Sequence, residues 1–130
     1  MMLNTDSMGR SIPISNEPKI GFDLPVCLPK HVRNILIDII GEIKILTWVD
    51  KIILYGSYAK GCYHRHSDLD LAVFVKKGHP CHINEYRQLA KICRTPEIDI
   101  QVQAFCVTEL DDPNGIVDEI VEFGIDITWL

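Results

Sequence analysis

Two short apolar runs stand out in the hydropathy pattern. The first, Ile52 to Tyr55, stops at Gly56-Ser57. The second, Leu69 to Val75, opens beside Asp68 and Asp70. Both are rich in β-branched and aromatic residues and are bounded by turn residues, so each reads as a buried strand. Upstream, Val32, Ile35, Leu36, Ile39, Ile40, Ile43 and Leu46 recur at helical spacing. That stripe predicts a helix over 29–49, with Pro29 suited to its first turn. Residues 82–94 predict a second helix with Ile83, Tyr86, Leu89, Ala90 and Cys93 inward. Residues 97–107 then alternate as a third strand. Ile98, Ile100, Val102 and Ala104 face one way, and Glu97, Asp99, Gln101 and Gln103 face the other. A third helix is expected from about Pro113 to Phe123, with Asp112 as N-cap and Gly124 as stop. Ile125 to Trp129 alternates like a short last strand.

Residues 1–28 keep no period and are punctuated by Gly9, Pro13, Pro18, Gly21 and Pro25. They read as an extended or flexible arm ahead of one domain over 29–130. Ile12, Ile14, Ile20, Phe22 and Leu24 suit docking along a sheet edge or a partner, and a loose tail is the other reading.

Composition narrows the class. A chain of 130 residues with 47% hydrophobic and 24% charged positions is enough for one ordinary globular core. No run reaches membrane-spanning length, because Asp38, Glu42 and Lys44 interrupt the most apolar stretch. No basic-then-apolar leader opens the chain. Five cysteines without paired spacing read as reduced thiols, so a cytoplasmic protein is expected. The net charge of −5 argues against strong nucleic-acid binding. The cations expected near the Gly-Ser turn are Lys60, Arg65, Lys76 and Lys77, a number suited to one triphosphate.

The chemistry lies in residues 53–75. Alternation on a strand points Asp68 and Asp70 the same way, with Cα atoms roughly 6.5–7 Å apart. Two carboxylates so placed can share a hard cation, and magnesium favours one or two carboxylates plus phosphate oxygens and water. Gly56 lets the backbone approach a ligand, and Ser57 offers a hydroxyl and an N–H to a phosphate. A helical turn over Tyr58 to Gly61 would add N–H groups there. These features together describe a site for a nucleoside triphosphate. His64 and His66 border that pocket or solvent, or share a face toward a metal. His79 and His82 flank Cys81 but lack a second pair at zinc-finger spacing, so they read as a loop.

Gly56, Ser57, Ala59, Gly61, Ser67, Asp68, Asp70 and Leu71 fall where the DNA polymerase beta-like nucleotidyltransferase superfamily places its Gly-Ser and Asp-x-Asp signature. The chain resembles that superfamily from about residue 30 onward, and within it the minimal, antitoxin-type subgroup. Lys60 stands where many members carry Arg. The resemblance implies an α+β fold, a small mixed sheet with helices packed on one face. It implies a third carboxylate on a neighbouring strand, which matches Asp99 between Ile98 and Ile100.

By the same resemblance, Asp68, Asp70 and Asp99 are the catalytic and metal-binding residues, and Gly56, Ser57 and Lys60 bind nucleotide. Two magnesium ions and ATP follow, with a nucleoside monophosphate moved to an acceptor hydroxyl. The implied partner is a small helical HEPN-type toxin whose tyrosine accepts AMP, the chain being the antitoxin. Two other readings stay open. One is a small-molecule nucleotidyltransferase whose acceptor pocket forms across a homodimer or with a partner chain. The other is a non-catalytic antitoxin that acts by contact.

Overall fold

The computed structural model describes residues 28–64 and 66–130. The expected arm, apart from Leu28, lies outside the described residues, as does Arg65. The elements are α1 (Lys30–Ile43), β1 (Val49–Tyr55), α2 (Gly56–Lys60), β2 (Leu69–Val75), α3 (Ile83–Ile92), β3 (Ile100–Cys106), a 3-10 helix (Val107–Asp111), α4 (Ile116–Phe123) and β4 (Ile125–Asp126). The sheet order is β3-β2-β1-β4. β1 runs antiparallel to β2 and to β4, and β2 runs parallel to β3, so the sheet is mixed as expected. A parallel pair needs a crossover, and α3 supplies it.

Strand alternation sorts the core into two layers. Ile52 and Leu54 of β1 and Leu69, Leu71 and Val73 of β2 pack with Val32, Leu36, Ile40 and Ile43 of α1 and Leu89 of α3. Each such side chain contributes about 1.5–3 kcal/mol by leaving water. This is the expected helical layer. The alternate residues Ile53, Tyr55, Ala72 and Phe74 face the other way, where Val117 and Ile120 of α4 cover them. α4 therefore lies on the opposite face, which the chain's periodicity alone does not reveal.

Several features differ from the sequence-based expectation, among them β3, which begins at Ile100 and not at residue 97. The first helix ends at Ile43 and not at residue 49. There the Lys44 ammonium turns away to donate to the carbonyl oxygens of Thr128 at 3.0 Å and Leu130 at 3.1 Å. Leu46 still reaches the core, but from a turn closed by its N–H on Ile43. In α3 the inward stripe is half as long as expected. Leu89 is buried, as is Cys93 just beyond the helix, but Ile83 and Tyr86 stand 58% and 43% exposed. A capping box, His82 N–H on Glu85 Oε1 at 3.1 Å, fixes that outer turn.

The last helix begins at Ile116, capped by Gly115 and not by Asp112. Gly115 adopts φ 58, ψ −127, which no helix admits. Finally, β4 stops at Asp126 because Thr128 folds back. Its Oγ1 accepts from Ile52 N–H at 2.9 Å and donates to Asp126 Oδ1 at 2.6 Å, so a side chain replaces the ladder. Among the described residues no helix is long and apolar enough to cross a membrane.

Candidate active site

The site begins where β1 ends. Register pairs Tyr55 with Asp70, so the turn that follows Tyr55 lies beside the Asp70 side chain. Gly56 has φ 76 there. A Cβ at that position would run into the Asp70 carboxylate, with its Cγ at 3.0 Å. Only glycine tolerates both the left-handed φ and this approach. The Gly-Ser turn and the Asp-x-Asp strand are thus one site, joined by the missing side chain of Gly56.

α2 follows at once and ends at Gly61, which has φ 76. Cys62 N–H donates to the Ser57 carbonyl at 3.1 Å and closes the turn. Tyr58 is buried beneath it and stacks on Tyr63 with ring centres 4.4 Å apart. The chain then tightens before β2. His64 N–H donates to Ser67 Oγ at 2.8 Å, and Ser67 N–H donates to the His64 carbonyl at 2.9 Å. Ser67 therefore shapes the loop that presents Asp68, which is exposed. His64 Nδ1 accepts from His66 N–H at 3.2 Å, so its ring serves the same loop.

Asp99 sits one residue before β3. Its carbonyl accepts Leu69 N–H at 2.9 Å, and the parallel register runs Leu69 with Ile100 and Asp70 with Gln101. Continued back one step, that register sets Asp99 beside Asp68. Alternation places Gln101 and Gln103 on one side of β3. Gln103 shows which side, because its Nε2 donates to Tyr55 Oη at 3.2 Å. That is the Asp70 side. Asp68, Asp70 and Asp99 thus occupy neighbouring positions at one end of the sheet.

Among the described residues, the electrostatics are those of an acidic site. Burial first, then the charges of Asp68 and Glu119, hold the Asp70 carboxyl above the usual carboxylate range. Burial and Asp70 likewise push the Tyr55 phenol up, against the opposing hydrogen bond from Gln103. Among the described residues, neither Asp68 nor Asp70 has a cation in salt-bridge contact. Nor do any three His, Cys, Asp or Glu side chains among them form a ready cage for a metal. This donor set fits magnesium, which takes one or two carboxylates and completes its shell with water and substrate phosphate. The metal-binding role of Asp99 is not part of that fit.

Lys60 takes an unexpected position. Its ammonium lies 3.4 Å from Glu119 Oε2 on α4. Lys76 and Lys77 are not near the site at all. They follow the far end of β2, six residues past Asp70, roughly 20 Å away at a strand's rise per residue. His79 also has a local role. It contacts Glu85 at 3.1 Å and stacks on Trp48 with centroids 5.5 Å apart. A cavity of about 270 Å³ opens between α3 and β3, lined by Tyr86, Arg94, Thr95 and Asp99 among others. Its lining takes in Asp99 and Gln101 as well as residues of α3, so it opens along the free edge of β3.

Three neighbours of Asp70 escaped the sequence reading: Tyr55, Gln103 and Glu119. Gln103 carried a signal, sharing the expected polar side of the third strand with Asp99. Tyr55 immediately precedes Gly56 but reads as core. Glu119 carried none, because only tertiary packing brings α4 to this face.

Comparisons with known proteins bear on the family and the fold. Residues 38–128 match the family profile described as "Polymerase beta, Nucleotidyltransferase". The chain is 27% identical over 81 residues to a "putative protein adenylyltransferase" of Methanocaldococcus jannaschii, covering 61% of this chain and 79% of that one. A crystal structure of a "putative nucleotidyltransferase" from Sulfolobus solfataricus superposes with a TM-score of 0.50 at 14% identity, over 83% of this chain and 90% of that one. A toxin-antitoxin structure containing AMP-PNP superposes with a TM-score of 0.51 at 22% identity, over 72% of this chain and 69% of that one. At these identities the two structures speak for the fold alone.

Proposed function

The chain belongs to the polymerase beta nucleotidyltransferase family, and we propose that it transfers AMP from ATP to a hydroxyl on a partner protein. In this reading it is a minimal antitoxin-type enzyme whose partner is a small helical HEPN-type toxin. The observation that carries the proposal is the close approach of the Gly56 turn to the Asp70 carboxylate, where a Cβ would not fit; it supports a phosphate turn set against a metal-binding carboxylate. The adenylyltransferase relative supports AMP as the group moved and protein as the acceptor. The toxin-antitoxin neighbour, solved with a nucleotide, supports the partner class.

The proposed roles follow from position. Ser57 offers its hydroxyl and N–H to the β- and γ-phosphates, and Gly56 leaves room for them. Asp68 and Asp70 would hold the magnesium, two ions in this reading. Bound magnesium supplies charge that lowers the pKa of the attacking hydroxyl and stabilises the leaving pyrophosphate. Asp99, at the edge of the sheet, takes the hydroxyl proton. The acceptor oxygen bonds to the α-phosphorus, and the bond from that phosphorus to the α,β-bridging oxygen breaks.

The test is label transfer from α-labelled ATP with magnesium, run in a lysate of the source cells. Label on one small protein, absent with Asp70→Asn, is the expected result. Pyrophosphate release without protein label would redirect the proposal to a small-molecule acceptor. Neither product would leave contact-only neutralisation as the function.

A further inference from the structure

Lys60, an expected phosphate ligand, is already engaged by the fold. Its ammonium lies 3.4 Å from Glu119 Oε2 and 4.9 Å from the centre of the Phe123 ring. Lys60 closes α2 beside the Gly-Ser turn, whereas both partners belong to α4. The three side chains meet at the rim of the site. Phe123 is 48% exposed, and the charged groups of the pair stay accessible to solvent. The charge of Glu119 also contributes, after burial and Asp68, to raising the Asp70 carboxyl.

We propose that Glu119 is a positioning residue that holds Lys60 over Phe123 until a triphosphate arrives, when Lys60 exchanges the carboxylate for a phosphate oxygen. The proposal rests on the assignment of Lys60 to the triphosphate made above. An exposed lysine–carboxylate pair is weak and readily exchanged. A triphosphate presents several charges against the single one of Glu119. Lysine suits the exchange better than arginine would. Its ammonium is a point charge on a flexible stem, with no bidentate geometry to break. Glu119 therefore competes with substrate for the same cation, and it weakens triphosphate binding in proportion.

The test is isothermal titration of the full chain with magnesium-ATP and, separately, with magnesium-tripolyphosphate, which lacks a base. Glu119→Gln frees Lys60, and Kd for both ligands should fall about two- to fivefold. Phe123→Leu should shift both in the same direction by less. In a Lys60→Met background, Glu119→Gln should change neither Kd. Unchanged or weaker binding by Glu119→Gln in the otherwise native chain overturns the proposal. So does equal tightening in the Lys60→Met background, since Glu119 would then act on the phosphates directly. If Lys60→Met weakens binding while Glu119→Gln is silent, the nucleotide role of Lys60 stands and only the exchange fails. If Lys60→Met has no effect, both fail together.

Discussion

The two faces of β2 are built for different ends. Toward α1 and α3 the strand presents Leu69, Leu71 and Val73, all at 0% exposure. Toward α4 it presents Asp70 at one end and Ala72 and Phe74 further along. α4 covers only the second part, so Asp70 is left partly exposed next to the Gly-Ser turn. A single strand thus anchors the core through one set of residues and carries a charge cluster through the other. The closed face makes the open one possible. Carboxylates that repel one another stay in place because the strand beneath them cannot shift.

Adjacent substitutions on β2 should separate these tasks. Asp70→Asn should reduce label transfer by about 10²–10³-fold, as expected when a charge-stabilising group is lost from a reacting site. Its melting temperature should hold or rise by roughly 2–5 °C, because a repelled and partly buried charge has gone. Leu71→Ala should do the reverse. It should lose about 2–5 kcal/mol of stability in urea titrations while each folded molecule keeps its activity. If Asp70→Asn kept full transfer, the open face would not be the site.

Gly56 joins the turn to the open face and should report on stability and transfer together. Gly56→Ala adds a methyl against the Asp70 carboxylate at a left-handed φ. The backbone strain should cost on the order of 1–3 kcal/mol in the same urea titration. Transfer should fall as well, because the methyl displaces Asp70 or the turn. A variant that melted normally but lost transfer would show that Asp70, and not the turn, had moved.

Much of this arrangement was legible in the sequence, and the residues show why. The limits of β2 follow from the sequence because Leu69 to Val75 is an apolar run interrupted only by Asp70. Asp70 lies at the start of β2, and Asp68 and Asp99 each stand one residue ahead of a strand, adjacent by the parallel register. What failed was decided by contacts distant in sequence. Lys44 ends α1 through carbonyls 84 and 86 residues away. Thr128 ends β4 through Ile52, 76 residues away. Glu119 reaches the site only because α4 folds onto the second face. Gly115 was the exception: its backbone freedom was legible, but Asp112-Pro113 looked the stronger helix start.

The smallest effect to seek is a pH dependence confined to the open face. Asp70 keeps its proton to higher pH in the folded chain than in the unfolded one. Through that interval the folded state binds more protons, so unfolding free energy should fall as pH rises. Below the ordinary carboxylate range the group is neutral in both states, and no penalty exists. Above the raised value the penalty is present in full. Urea midpoints measured from about pH 4 to 7 should therefore contain a descending contribution that Asp70→Asn removes and Glu119→Gln reduces. A cation bound at the carboxylates favours their charged form. Saturating magnesium should shift the descent to lower pH and raise stability above it, more so with ATP present. Leu71→Ala should lower the whole curve without changing its shape. Identical slopes in wild type and Asp70→Asn would mean that water reaches Asp70 freely. The repulsion assigned to this face would then be screened before magnesium arrives.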